Sequence, residues 1–430
     1  MTVEKRTPLP ISEAVERVME HTKPPEKEWV SVEEAYGRYL AEDLIADHDV
    51  PSFDRSPYDG FAIIAGDTSE ASRENPVTLE VIGEIGAGDV FEGHVTHNQA
   101  VRIMTGAKIP DDCNAVIMLE LVHEFMENGK PYIEVKRSLQ EGDNISFQGE
   151  DTQKGTPLVQ KGTCINPGVN ALLATFGYNQ VPVAKKPVVG VVATGSELLD
   201  VSEPLSPGKI RNSNSYMMLA QIKKAGAEAK YLGKLQDDFE ECLQAVRDAL
   251  DEVDILITTG GVSVGDFDYV PAILESLDAT VLFNKVAMRP GSVTTVAAVG
   301  DKLIYGLSGN PSACYVGFEV FTRPVIRHSL SSQTPHLRKT KAVLGSDFPK
   351  PNPFTRFVRA SIIDTDGQYT AVPTGLDKSG SVTSLSQADV FIVLPGGTRG
   401  YEKGMSVDVL FLEDHKGSEW PWSNIVPSYR

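Results

Sequence analysis

The sequence predicts a multidomain fold of the α/β plus β class, with a central doubly wound α/β domain and flanking β-rich domains. Three observations carry this reading. The chain has 430 residues, too many for one ordinary core, so two to four domains are expected. Strand-like and helix-like runs alternate over about 140 residues from Val188, the mark of a sheet with helices on both faces. Before and after that stretch, short alternating runs are broken by turn residues, as in all-β segments.

From the N-terminus, "ISEAVERVMEH" reads as a helix and "VSVEEAYGRYLAEDL" as a second. Ser31 and Glu34 have the spacing of a capping box, and Pro24-Pro25 separates the two segments. From Val50 to about Glu150, "VTLEVIGEI", "AVRIMTG", "AVIMLELV" and "YIEVKRS" predict strands, with turns at "GAGD", "IPDD" and "ENGKP". "PVVGVVATG" is a continuous apolar strand of the kind buried on both faces. "NSYMMLAQIKKAG" follows as a helix closed by Gly226. In the next helix Phe239, Leu243, Val246, Leu250 and Val253 make one apolar stripe. Then come the strand "DILITTG", the helix "DYVPAILESLD" and the strand "LIYGLSG". Asn310-Pro311 is a good N-cap and first-turn pair for the helix "PSACYVGFEVF". After Pro335 the β texture returns in "FTRFVRASIID", "YTAVPTG", "DVFIVLPGG" and "SVDVLFLE". The last stretch, 415–430, lacks periodicity and reads as a weakly packed tail.

Bulk numbers exclude several classes. A net charge of −19 argues against a general nucleic-acid binder, although a local basic pocket stays open. The four cysteines, Cys113, Cys164, Cys242 and Cys314, form no C-x-x-C pair, and the eight histidines show no metal-ligand spacing. No signal-type apolar segment and no 18-residue apolar run is present, so a cytoplasmic protein off the membrane is expected.

Three loops leave strand ends in the α/β stretch: "ATGSELL" (193–199), "TTGGVSVGDFDY" (258–269) and "GLSGNPSA" (306–313). Ligands of open α/β sheets bind outside the carboxyl ends of the strands. Glycine and small hydroxyl residues there let backbone N–H groups receive an anion without side-chain charge. Glu197, Asp266 and Asp268 would repel a phosphate unless a divalent cation sits between, and carboxylates with phosphate oxygens are how Mg²⁺ is usually held. Lys285 and Arg289, four apart in a segment read as extended, would face one side. Each feature has a plainer reading: a Gly-rich turn, a helix cap at Asp268, solvated charges at Lys285 and Arg289. Together they point to a Mg²⁺-assisted site for a phosphorylated or nucleotide-bearing ligand.

Those three loops resemble a molybdopterin-binding domain. "PSFDRSPYDGFAI" (51–63), "RIMTGAKIPDDCNAVIM" (102–118) and "GDNISFQGEDTQKG" (142–155) are similar to the other signatures of the molybdenum insertase family, the molybdopterin molybdenumtransferases, which includes the gephyrin E domain. The resemblance spans roughly Ile11 to Leu412. It implies insertion of molybdate into adenylylated molybdopterin with release of AMP, a Mg²⁺ cofactor, and a homodimer whose cleft lies between two chains. It implies a linking domain (26–50 and 150–182), a β-rich domain (51–149), a molybdopterin-binding domain (1–25 and 183–333) and a C-terminal β-barrel-like domain (334–414).

By the same resemblance Glu197 and Asp268 hold the metal, and Asp237 is a further acid of the cleft. Gly260, Gly261, Ser263 and Gly265 cradle the phosphates, with Ser308, Asn310 and Pro311 on the facing loop. Asp59 and Thr105 reach in from the partner chain, with Asp151 nearby. Lys285 and Arg289, with Arg359 and Ser379, receive molybdate. Molybdopterin adenylyltransferase and molybdoenzyme chaperones are implied as further partners. Tyr58 stands where the family often has Met, Arg289 where it often has Lys, and Ser292 and Ser146 where it often has bases. The rival readings are a molybdopterin-binding or peptide-binding scaffold without catalysis, and an adenylyltransferase. Retention of the acids argues against the first, and the extra β domains against the second. No Ser–His or Cys–His pair suggests a covalent intermediate.

Overall fold

In the computed structural model, which describes residues 7–235, 238–260, 269–413 and 417–423, six strands from the middle of the chain build one mixed sheet. They are β1 (Val188–Thr194), β2 (Glu228–Leu235), β3 (Ile255–Thr259), β4 (Thr280–Phe283), β5 (Thr295–Val299) and β6 (Lys302–Leu307). Their spatial order is β2-β1-β3-β6-β5-β4. The first four run parallel, and β5 and β4 add an antiparallel margin.

Both faces of this sheet are covered, which is why β1 and β3 are apolar without alternation. Val191, Ile257 and Tyr305 face one cluster with Met218 and Ile222 of helix α1 (Ser213–Ala225). Val192, Leu256 and Ile304 face the other, with α2 (Phe239–Glu252) and α3 (Val270–Ser276). Of the expected stripe on α2, Leu243, Val246, Leu250 and Val253 are buried, and Phe239 packs against the same cluster. Asn212 caps α1 by accepting from the Ser215 N–H at 3.2 Å, and the helix stops at Gly226. From β1 the chain goes first to β2 on one side and later to β3 on the other. The carboxyl ends of β1 and β3 therefore flank the point where strand order reverses, the usual place for a ligand crevice.

After helix α4 (Pro311–Gly317) and its continuation to Ser329, the chain forms a closed five-stranded barrel. Its strands are β7 (Lys339–Leu344), β8 (Thr355–Thr365), β9 (Gln368–Pro373), β10 (Val390–Leu394) and β11 (Ser406–Phe411). Pairing runs β8-β9-β7-β11-β10 and back to β8. The short strand Met288–Arg289 of the α/β domain pairs with Thr355–Arg356 of β8. One core cluster runs from Val191 through Phe321 to Phe357, Phe391 and Leu410, so barrel and sheet share buried surface.

The chain divides into two compact units. One holds the described residues up to Glu42, those of 161–171 and those from Tyr178 onward; the other holds 43–160 and 172–177. The smaller unit has its own six-stranded sheet, in the order Ala115–Met118, Gly60–Ile63, Gln99–Ile103, Val77–Ile85, Lys130–Val135 and Val122–Glu127. Phe61, Ile63 and Leu79 pack on one face, and Ala62, Val101 and Ile103 on the other.

Two expectations are overturned. Residues 30–44 form no long helix. Lys27–Ser31 pairs with Gln180–Ala184, Val32–Glu34 makes a single 3₁₀ turn, and Ser31 makes no side-chain cap. Tyr39 and Leu40 bridge to Cys164 and Val183. Ala35, Tyr39, Leu40 and Leu44 are all buried, at a spacing that imitates a helical stripe. Pairing with distant strands outweighs a local propensity of a few tenths of a kcal/mol per residue. The C-terminal segment is no loose tail over 417–423. Ser418 bridges to His336, Lys339 Nζ donates to the Pro421 and Ser423 carbonyls at 2.8 and 3.0 Å, and Trp422 joins the main core.

Candidate active site

The three glycine-bearing loops start at the carboxyl ends of β1, β3 and β6, which are adjacent and parallel, so these strand ends lie side by side. Gly260 sits at the junction. Its N–H donates to the Leu307 carbonyl at 3.0 Å, its φ is +99°, and a Cβ there would fall 2.7 Å from the Thr194 carbonyl oxygen. Only glycine fits a backbone so placed. Gly309 packs against Gly260, and Asn214, from the first turn of α1, donates its Nδ2 to the Gly309 carbonyl at 2.8 Å. That strut was not legible in the sequence, because 95 residues separate its ends.

Glu197 is exposed on the loop after β1. Its carboxylate folds back over Gly195, where a Cβ would lie 2.5 Å from Oε2, and it has no partner among the described residues. Asp237, Gly261, Ser263, Gly265, Asp266 and Asp268 lie outside the described residues. Among the described residues no group of three or more His, Cys, Asp or Glu side chains is set to hold a metal.

On the facing loop, the Ser308 hydroxyl accepts from the Asn310 N–H at 3.2 Å. Asn310 takes the N-cap position of α4 and Pro311 its first turn, as expected, but the Asn310 side chain makes no capping bond. A barrel loop approaches here. Ser312 donates its N–H to the Ser379 carbonyl at 2.9 Å and its hydroxyl to the Ser381 carbonyl at 2.6 Å. Ser379 and Asn310 are thus brought to one place.

Arg359 differs from expectation. Its side chain is 1% exposed, and its guanidinium donates to the Ser384 hydroxyl, the Leu376 and Lys378 carbonyls and Asp377. It holds the Ser379 loop from below and presents no open fork to an oxyanion. Its strand neighbours Val358 and Ala360 line the barrel's own core, so Arg359 leaves the barrel on the opposite face and is buried there by the loop 374–386. A one-residue shift in face cannot be read from one strand's sequence. The extended reading of 285–289 is also corrected. Val286, Ala287 and Met288 are all buried, and the Met288 N–H closes a tight turn onto the Val286 carbonyl. Lys285 is half-buried and Arg289 exposed, and neither side chain has a hydrogen bond or ion pair among the described residues.

In the smaller unit Asp59 and Thr105 meet. Asp59 Oδ1 accepts from the Thr105 N–H at 2.7 Å and from its hydroxyl at 2.8 Å. The Thr105 backbone N–H, then its hydroxyl, holds this exposed carboxyl below its ordinary pKa. Gly60 is required next to it, since a Cβ there would fall 2.0 Å from the Ile117 carbonyl oxygen. Asp151 is exposed, and its N–H donates to the Val50 carbonyl at 3.0 Å. Ser146 exchanges backbone bonds with Arg55, both at 2.9 Å. Burial raises the thiol of Cys113 to about 12 and that of Cys314 further, so neither is a ready nucleophile.

Family models match the chain along its length. One described as "MoeA N-terminal region (domain I and II)" covers residues 9–177, "Probable molybdopterin binding domain" covers 190–328, and "MoeA C-terminal region (domain IV)" covers 341–412. The molybdopterin molybdenumtransferase of Bacillus subtilis (strain 168) is 62% identical over 421 residues, 98% of both chains. The chain belongs to the molybdopterin molybdenumtransferase family. The enzyme of the same name from Staphylococcus aureus (strain COL) is 46% identical over 419 residues, 97% of this chain and 99% of that one. A crystal structure of the molybdopterin biosynthesis moeA protein of Pyrococcus horikosii superposes with a TM-score of 0.83 at 31% identity, covering 94% of this chain and 99% of that one. As a molybdenumtransferase the chain is a transferase of molybdenum cofactor biosynthesis. No helix among the described residues is long and apolar enough to cross a membrane.

Proposed function

We propose that this enzyme inserts molybdate into adenylylated molybdopterin, releases AMP and leaves molybdenum cofactor, in a Mg²⁺-assisted reaction on a cytoplasmic homodimer. The observation that carries the reading is the adjacency of the carboxyl ends of β1, β3 and β6, where Gly260 lies between Thr194 and Leu307, together with the Ser379 loop held at the start of α4. The backbone at Gly260, continuing into Gly261, Ser263 and Gly265, would receive phosphate oxygens. Ser308 and Asn310 face it.

Glu197 is a fitting partner for Mg²⁺: an exposed hard-oxygen donor without a partner among the described residues, at the start of the proposed phosphate site, for a cation that keeps waters and phosphate oxygens as its other ligands. With Asp268, and Asp237 as a further acid, it would hold a cation that polarises the phosphoanhydride and offsets charge on the departing phosphate. Lys285 and Arg289 would neutralise the molybdate dianion, with Ser379 donating to it. Arg359 serves through the loop it holds. Asp59 stays ionised through its two Thr105 donors, both on Oδ1, with no bond to Oδ2 among the described residues, and with Thr105 and Asp151 it would come from the partner chain. A molybdopterin adenylyltransferase upstream and molybdoenzyme chaperones downstream fit this substrate and product.

The test is incubation with adenylylated molybdopterin, Mg²⁺ and molybdate, followed by assay of AMP and active cofactor. Binding of molybdopterin without molybdate-dependent AMP release would favour a scaffold and overturn the reading.

A further inference from the structure

The loop 374–386 of the barrel is built around one acid. Asp377 accepts from Arg356 Nη1 at 2.7 Å through Oδ2 and from Arg359 Nη1 at 3.4 Å through Oδ1, and Lys350 Nζ is 3.3 Å from Oδ2. The side chains of Arg356, Arg359 and Asp377 are 12%, 1% and 11% exposed. Arg359 grips the backbone on both sides of this acid, at the Leu376 and Lys378 carbonyls, and also bonds Ser384 farther along the loop. Arg356 is tied in turn to Asn352 at 2.7 Å. The tip of the loop is pinned separately by Ser312, whose N–H and hydroxyl donate to the carbonyls of Ser379 and Ser381. Residues Leu376, Lys378 and Ser379 between these anchors are exposed.

The charges explain why the acid matters. Lys350, Arg356 and Arg359 gather around a single carboxylate in a chain that is acidic overall, and Arg289 lies beside Arg356 in the strand register. Without that carboxylate two nearly buried guanidinium groups would face each other unpaired, and such groups rearrange or admit water rather than stay. The loop's root would then move, and Ser379 with it.

Resting on the proposed molybdate site, we infer that Asp377 is a positioning residue for the oxyanion: it holds the Ser379 loop at the distance from Arg289 and Lys285 that a tetrahedral dianion needs. It touches no substrate itself. In the proposed site Glu197 and Asp268 serve the metal and the pterin phosphates, so the effect of Asp377 is expected on the molybdate side alone.

The measurement is equilibrium dialysis with molybdate, together with KM for molybdate and kcat at saturating molybdate, on the full-length protein. Asp377→Ala should raise the molybdate requirement about tenfold to a hundredfold, the worth of one charge-assisted hydrogen bond put out of place. The kcat at saturation and the affinity for molybdopterin should hold. Asp377→Asn, which keeps the shape and one acceptor, should recover part of the loss. If Asp377→Ala does not fold, Ser312→Ala decides, since it removes only the hydroxyl anchor at the tip. It should raise KM for molybdate in the same direction with kcat unchanged. A folded Asp377→Ala or Ser312→Ala with wild-type molybdate binding overturns the inference, as does a lost kcat with KM unchanged. Wild-type protein that binds molybdate but releases no AMP would count against the proposed reaction and leave the loop's role standing.

Discussion

Acid should loosen the C-terminal segment 417–423 through a single imidazole, His336. The residue is 3% exposed, meets Trp420 and Trp422 edge-on at 5.5 and 5.9 Å, and leaves its Nδ1 without a partner among the described residues. Burial, with Arg323 and His328 nearby, pushes its pKa from 6.5 down to about 4. An unfolded chain therefore takes up a proton near pH 6.5 that the folded protein refuses until about pH 4. The unfolded state binds more protons in this window, so stability is full above pH 6.5 and falls as the pH drops. Each unit is worth about 1.4 kcal/mol, and roughly two and a half units amount to about 3 kcal/mol at pH 4. Two of the chain's three tryptophans flank the ring, so the denaturant midpoint can be followed by fluorescence. Carboxylates titrate over part of the same range, and His336→Phe isolates the imidazole by keeping a ring between the indoles. The wild-type midpoint should fall between pH 6.5 and 4 by the stated amount more than the variant's. Equal slopes in the two proteins would refute the assignment.

Asp268→Asn should leave the fold intact and nearly abolish AMP release at saturating Mg²⁺; a parental rate would remove it from the metal site. Asp59→Ala and Glu197→Ala, each inactive alone, should complement when co-expressed. Random pairing gives about half mixed dimers with one working cleft in two, so about a quarter of wild-type activity. Verified mixed dimers without activity would sink the shared cleft. Gly260→Ala forces a side chain against the Thr194 carbonyl at a φ of +99°. Backbone strain of about 1–3 kcal/mol should appear as molybdopterin binding weaker by roughly ten- to a hundredfold, and unchanged binding in a titration would show that the loop is not the phosphate floor.

What the sequence determined by itself was local or motif-borne. The apolar runs of β1 and β3, the stripe of α2 and the Asn310-Pro311 helix start follow from periodicity and turn chemistry within a few residues. Gly260 at the second of the three loops and Gly60 in the smaller unit were legible as glycines because no other residue tolerates such backbone approach. The pairing of Asp59 with Thr105 was legible only through resemblance, since 46 residues separate them. Tertiary structure alone decided the rest. Residues 30–44 have helix-like spacing but become strand and turn, because their backbone groups find partners at Cys164 and Gln180–Ala184. Arg359 reads as a molybdate-binding cation and is in fact sealed beneath a loop, because the segment 374–386 folds over its side of the strand and Asp377 meets it there. The final residues have no pattern of their own, and 417–423 are ordered by contacts with His336 and Lys339, some 80 residues earlier. In each case the deciding energy is a contact between distant segments, absent from any window of sequence short enough to read.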